Sequence, residues 1–157
     1  MRQLVLMFLL VLVASAGFSD EKVTIGTSGS LVAFRNVGVT PVDRSQTTLL
    51  IDAGEIDTDG FVGLVINMTG QPEGTISKAG VVGVVLVPAV APYDFAFRTL
   101  GVLPPIIEVP FPVDSGRSFF MSNQMRFDVG FPRYRIFFYN SSDAAVRVSL
   151  FAYRTRT

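Results

Sequence analysis

Hydrophobic residues fall in short stretches rich in Val, Ile, Phe and Thr and broken by Gly and Pro, and over residues 133–153 they alternate with polar ones at a period of two. That period belongs to half-buried strands rather than amphipathic helices. The short stretches predict strands over residues 22–25, 31–37, 47–56, 61–68, 93–100, 118–121 and 125–129, separated by turn clusters such as Asp57-Thr58-Asp59-Gly60 and residues 69–74. The continuous apolar run 81–87 reads as a strand buried on both faces and central in its sheet. Prolines 104, 105, 110 and 112 restrict residues 103–113 to an edge strand or an extended loop, because each removes a ladder donor. The mature region shows no amphipathic helical pattern. The expected fold is all-β: a single antiparallel β-sandwich, jelly-roll-like, with a closed barrel as the alternative.

The most informative stretch runs from Arg133 to Tyr153. It reads as a hairpin turning at Asn140-Ser141-Ser142-Asp143. Pairing Phe138 with Val146, Ile136 with Val148 and Tyr134 with Leu150 makes one face wholly apolar. A slip of one residue would exchange the faces and bury Arg147 among apolar groups, a costly arrangement. The favoured register leaves Arg135, Phe137, Tyr139, Arg147, Ser149, Phe151 and Tyr153 outside the core. Arginine and aromatic residues are enriched in interface cores. Six of these residues, Arg135, Phe137, Tyr139, Arg147, Phe151 and Tyr153, are therefore the candidate interaction surface. Such a face could pack against other copies, stack on a glycan, or lie beneath the chain's own loops.

The N-terminus changes the picture of where the protein works. Arg2, the apolar run 4–13 and Ala14-Ser15-Ala16 fit a secretory signal peptide at residues 1–16, leaving a β domain over 17–157. The expected location is secreted, extracellular or periplasmic, without stable membrane insertion after cleavage. An uncleaved anchor is disfavoured because the uncharged run is shorter than the roughly 20 apolar residues of a spanning helix.

Composition excludes much chemistry. The chain has neither Cys nor His, so disulfides, Cys- or His-based metal sites, His-assisted nucleophiles and His pH switches are all ruled out. The formal net charge of zero gives no bulk attraction to nucleic acid. Charge is nonetheless uneven. Residues 43–116 hold nine acidic and three basic side chains, and residues 117–157 hold seven arginines against Asp128 and Asp143. A basic region meeting an acidic one is a route to head-to-tail contact between copies.

Asp52, Glu55, Asp57 and Asp59 form the densest carboxylate group and are the candidate calcium ligands. The spacing fits a helix-loop-helix calcium site poorly, since the expected glutamate position falls on Met68. Two carboxylates across a cleft would be needed for glycoside hydrolysis, and Glu108 adds a further partner to this group. Ser19 and Lys22 match a Ser-x-x-Lys pattern without its companion motifs. Asn67 and Asn140 head glycosylation sequons. The function expected from the residues is a secreted, non-catalytic structural or self-assembling protein of a surface layer, extracellular matrix or virion. Its partners would be other copies or an extracellular molecule, with no obligatory cofactor. The alternative is a carbohydrate-binding module with optional calcium, and glycoside hydrolysis comes third.

Overall fold

The alternating stretches fold into two antiparallel sheets that share one apolar core. The computed structural model describes residues 29–101 and 107–156. In chain order the elements are β1 (Gly29–Val39), a 3-10 turn at Thr47–Leu49, β2 (Ile51–Asp57), β3 (Gly63–Pro72), β4 (Gly80–Pro88) and α1 (Tyr93–Leu100). They continue with β5 (Ile107–Val113), β6 (Phe120–Met121), β7 (Met125–Asp128), β8 (Arg133–Asn140) and β9 (Val146–Thr155). The signal segment, the strand expected over 22–25 and the Ser19/Lys22 pattern lie outside the described residues.

The first sheet runs β1-β9-β3, with β6 and β7 both pairing along β3, and the second runs β2-β8-β4-β5. Alternation explains the core directly. Leu64, Ile66 and Met68 of β3 and Val146, Val148, Leu150 and Ala152 of β9 point inward from the first sheet. Val82, Val84 and Leu86 of β4 and Tyr134, Ile136 and Phe138 of β8 meet them from the second. β4 lies between β8 and β5 and has Val82 and residues 84–87 fully buried, which accounts for its continuous apolar sequence. β5, with Pro110 and Pro112, takes an edge where the missing donors cost nothing.

Two expectations are corrected. First, β8 and β9 do not form a hairpin: β8 pairs with β2 and β4, and β9 pairs with β1 and β3. Tyr134, Ile136 and Phe138 do share a core with Val146, Val148 and Leu150, but they face them across it rather than beside them. Alternation specifies which face a residue occupies and is silent on its strand partner. The connection between the strands can span the roughly 10 Å between packed sheets. Asn140 organises that crossing. Its Nδ2 donates to the carbonyls of Val39 (3.1 Å) and Ala144 (2.8 Å), while its Oδ1 accepts from the backbone N–H (3.0 Å) and hydroxyl (2.6 Å) of Ser142.

Second, residues 93–100 form a helix, not a strand. Tyr93, Phe95 and Phe97 mimic strand alternation, yet Tyr93 and Phe97 also stand one helical turn apart. Asp94 in the first turn and Arg98 in the last suit the helix dipole. Gly101 closes the helix in the left-handed conformation (φ 65°), its N–H bonding to the carbonyl of Ala96. Phe97 is 1 % exposed and Phe95 58 %, so Phe97 anchors the helix from beneath, while Tyr93 packs edge-on against Phe131 (5.2 Å).

Candidate interaction surface

The six candidate surface residues are divided between opposite outer faces, because β8 and β9 belong to different sheets. Arg135, Phe137 and Tyr139 lie on the outer side of the second sheet. Arg147, Phe151 and Tyr153 lie on the outer side of the first.

The chain roofs the second sheet. Val42, Leu50 and Phe97 pack with Val85, Val87, Phe137 and Tyr139 in a separate apolar cluster. The rings of Phe97 and Phe137 are 5.2 Å apart. Phe137 is 2 % and Tyr139 4 % exposed, so both are interior residues rather than surface ones. Tyr139 lies across Gly83 of β4, where a Cβ would stand 2.5 Å from its ring. Its hydroxyl donates to Glu108 Oε1 (2.8 Å), and Arg44 Nε donates to the same oxygen (2.8 Å). Burial, and then the contact with the Glu108 carboxylate, push the Tyr139 hydroxyl pKa up. The Arg44–Glu108 pair thereby ties the segment after β1 down onto the edge strand β5.

Arg135 is committed within the molecule as well. Its Nε (2.9 Å) and Nη2 (2.7 Å) donate to Asp52 Oδ2, and its Nη1 lies 3.8 Å from Asp94 of α1. Glu55 stands 3.9 Å from Arg133, and Asp57 Oδ1 accepts the Asp59 N–H in a tight turn. Asp52, Glu55, Asp57 and Asp59 are thus not gathered around a common point. Among the described residues no group of three or more Asp, Glu, His or Cys could hold a metal ion. The carboxylates of β2 and Glu108 of β5 occupy opposite edges of the second sheet. Three strand spacings, roughly 14 Å, separate those edges. Paired glycosidase carboxylates stand about 5–9.5 Å apart.

Burial opposes ionisation of Asp52, but the Arg135 hydrogen bond and the Gly54 N–H outweigh it and hold the carboxyl below its ordinary value of 3.8. A lowered folded-state pKa contributes stability that is complete above the unfolded value and is lost as pH falls through the folded one. The melting temperature should therefore decline between about pH 5 and pH 2. Asp52→Asn should lower it at neutral pH and make the acid decline shallower; an unchanged acid profile would show that the pair carries no linkage.

The outer face of the first sheet is different. Tyr153 stands opposite Leu31 and Val65, Phe151 opposite Ala33 and Asn67, Ser149 opposite Thr69, and Arg147 opposite Gln71. Met121 and Arg126 continue the face on the far side of β3. α1 packs on β4 of the other sheet, and among the described residues no α-helix lies over this face. Phe151, Tyr153, Leu31 and Val65 are partly exposed, and Met121 is 65 % exposed. Tyr153 is partly sheltered because its ring lies over Gly29, where a Cβ would come within 2.6 Å of it. Arg147 pairs with Glu73 at 2.5 Å in the open.

The sequons also separate. Asn140 is fully buried with its amide nitrogen engaged, whereas Asn67 lies on the uncovered face and its Nδ2 donates to the Ser122 carbonyl (3.0 Å). Reasoning from the sequence missed the roof, because Val42 and Leu50 lie in a segment read as a connection and a strand, and Tyr93, Phe95 and Phe97 satisfy strand alternation as well as a helical turn. One signal was available: three aromatic residues between Pro92 and Gly101, bounded as a short helix would be. No family model matches the chain, and no curated protein or solved structure matches it either.

Proposed function

We propose that this chain is an exported, non-catalytic β-sandwich of jelly-roll type, and that it self-assembles through the uncovered outer face of its first sheet. One observation carries the reading. The two outer faces are treated differently: one is roofed by a helix and a loop, and among the described residues nothing comparable lies over the other, which carries Leu31, Val65, Met121, Phe151 and Tyr153. An apolar patch of this kind is uncommon on an isolated monomer and typical of an interaction site. Export rests on the signal segment at residues 1–16. The non-catalytic reading rests on a sequence without His or Cys and on carboxylates already bound to arginines.

Sedimentation velocity over a concentration series tests the proposal. Phe151→Ser combined with Tyr153→Ser should weaken self-association at least about tenfold, as expected when hot-spot aromatics are removed. The melting temperature should stay close to that of the parent. Unchanged association, or unfolding of the double variant, would end the reading.

Asn67, Thr69, Gln71 and Ser149 favour a second reading. They place hydrogen-bonding groups alongside Phe151 and Tyr153, the combination that serves glycan stacking. Loss of polysaccharide binding in the same double variant, with sedimentation unchanged, would select it.

A further inference from the structure

We infer that the partner of the uncovered face is the roofed face of a second copy, so that assembly runs head to tail rather than closing as a two-fold dimer. The inference rests on the self-assembly reading above and adds the identity of the opposing surface.

Charge is the first argument. The uncovered face carries the exposed arginines 35, 126 and 147, with Glu73 and Asp128 as its acidic neighbours. In a two-fold contact the same patch meets itself, so its surplus of arginine over carboxylate would face the same surplus on the second copy. The roofed side is richer in carboxylates. Asp43, Asp52, Glu55, Asp94 and Glu108 stand on or beside it, and Asp57 and Asp59 lie on the adjoining turn, against Arg44, Lys78, Arg98, Arg133 and Arg135. Opposite potentials meet only when unlike faces are stacked.

Apolar exposure is the second argument. α1 and the 3-10 turn leave Phe95 at 58 %, Leu100 at 62 % and Leu49 at 59 % exposed on the outside of the roof. Phe97, Tyr93 against Phe131 and Asp94 beside Arg135 hold the helix down, whereas Phe95 and Leu100 point largely into solvent. They offer the roof an apolar counterpart to Met121, Phe151 and Tyr153. A contact between two different patches of the same chain is heterologous and propagates into rings or filaments.

Mixing two blocked variants tests this directly. The first carries Phe151→Ser and Tyr153→Ser. The second carries Phe95→Glu and Leu100→Glu, both at exposed positions. The parent should grow beyond a dimer as concentration rises and shorten as salt screens the contact. Each variant alone should sediment as a monomer. Their equimolar mixture should form one-to-one pairs and stop, since it contains one intact copy of each surface. If the roof variant still associates like the parent while the first does not, the inference is overturned and the uncovered face remains the interface through another geometry. A mixture that stays monomeric overturns it as well. If the first variant still polymerises, the self-assembly reading falls with it. Should that variant misfold, Met121→Glu with Arg126→Glu blocks the same face at exposed side chains and stands in its place.

Discussion

Replacing Phe97 with alanine should destabilise the fold by about 3–5 kcal/mol, the usual cost of emptying a buried aromatic site. Phe97 is the one fully buried side chain of α1, and its ring packs on Phe137 within the roof cluster. Its loss leaves a cavity over Phe137 and removes the helix's apolar anchor. Phe95→Ala, two residues earlier, should change stability by less than about 0.5 kcal/mol, because that ring is exposed. Urea denaturation of both variants gives the comparison. For a chain of this size the Phe97 variant should also melt roughly 6–20 °C lower. Equal effects at the two positions would mean that the helix does not sit on the second sheet as described.

Asn140→Ala should cost about 2–4 kcal/mol, even though the substitution falls in a loop-forming segment. The buried amide satisfies the carbonyls of Val39 and Ala144 and receives the Ser142 N–H and hydroxyl. Alanine removes four bonds at once and takes the side-chain partner from the buried Ser142 N–H, with only the Ser142 hydroxyl left to reach the Ala144 carbonyl. Asn140→Asp should be at least as harmful, since it sets a carboxylate oxygen against two carbonyls that need a donor. Thermal unfolding checks both. Expression in a glycosylating host adds a separate readout: the folded protein should carry no glycan at Asn140. A stable alanine variant, or a glycan at that position, would contradict the bonding of the crossing.

These two residues also mark how far the sequence could be read. The period of two in residues 133–153 placed Tyr134, Ile136, Phe138, Val146, Val148 and Leu150 on the inward side correctly, because alternation fixes which face a residue takes. The same pattern could not tell a hairpin from a crossing between sheets, as both put Ile136 and Val148 in one core. The turn chemistry of Asn140 was visible, but its contacts with Val39 depend on a strand that lies far away in sequence. Over residues 93–100 the aromatic spacing satisfied strand and helix alike, and the choice was made by the apolar surface waiting on β4. The candidate surface was half legible. Phe151 and Tyr153 remain on an uncovered face, while Phe137 and Tyr139 are hidden by segments whose folding back onto the sheet leaves no local signature. The acidic group was legible as charge and not as chemistry, since arginines from β8 reach Asp52 and Glu55 only after the second sheet has formed.

The place of β9 between β1 and β3 sets an order of events in time. A chain synthesised only as far as Ala145 has β1 and β3 in hand with the ladder position between them vacant. Neither strand can bond to the other directly, so the first sheet has no pairing to propagate from β1 until residues 146–155 arrive. The second sheet is arranged the same way, since β4 and β5 pair on their own while β2 has no partner until β8 arrives. Closure by distant segments is slow relative to local pairing. Both halves of the core therefore stay open while most of the polypeptide is being made, and they are sealed only by the two late strands β8 and β9.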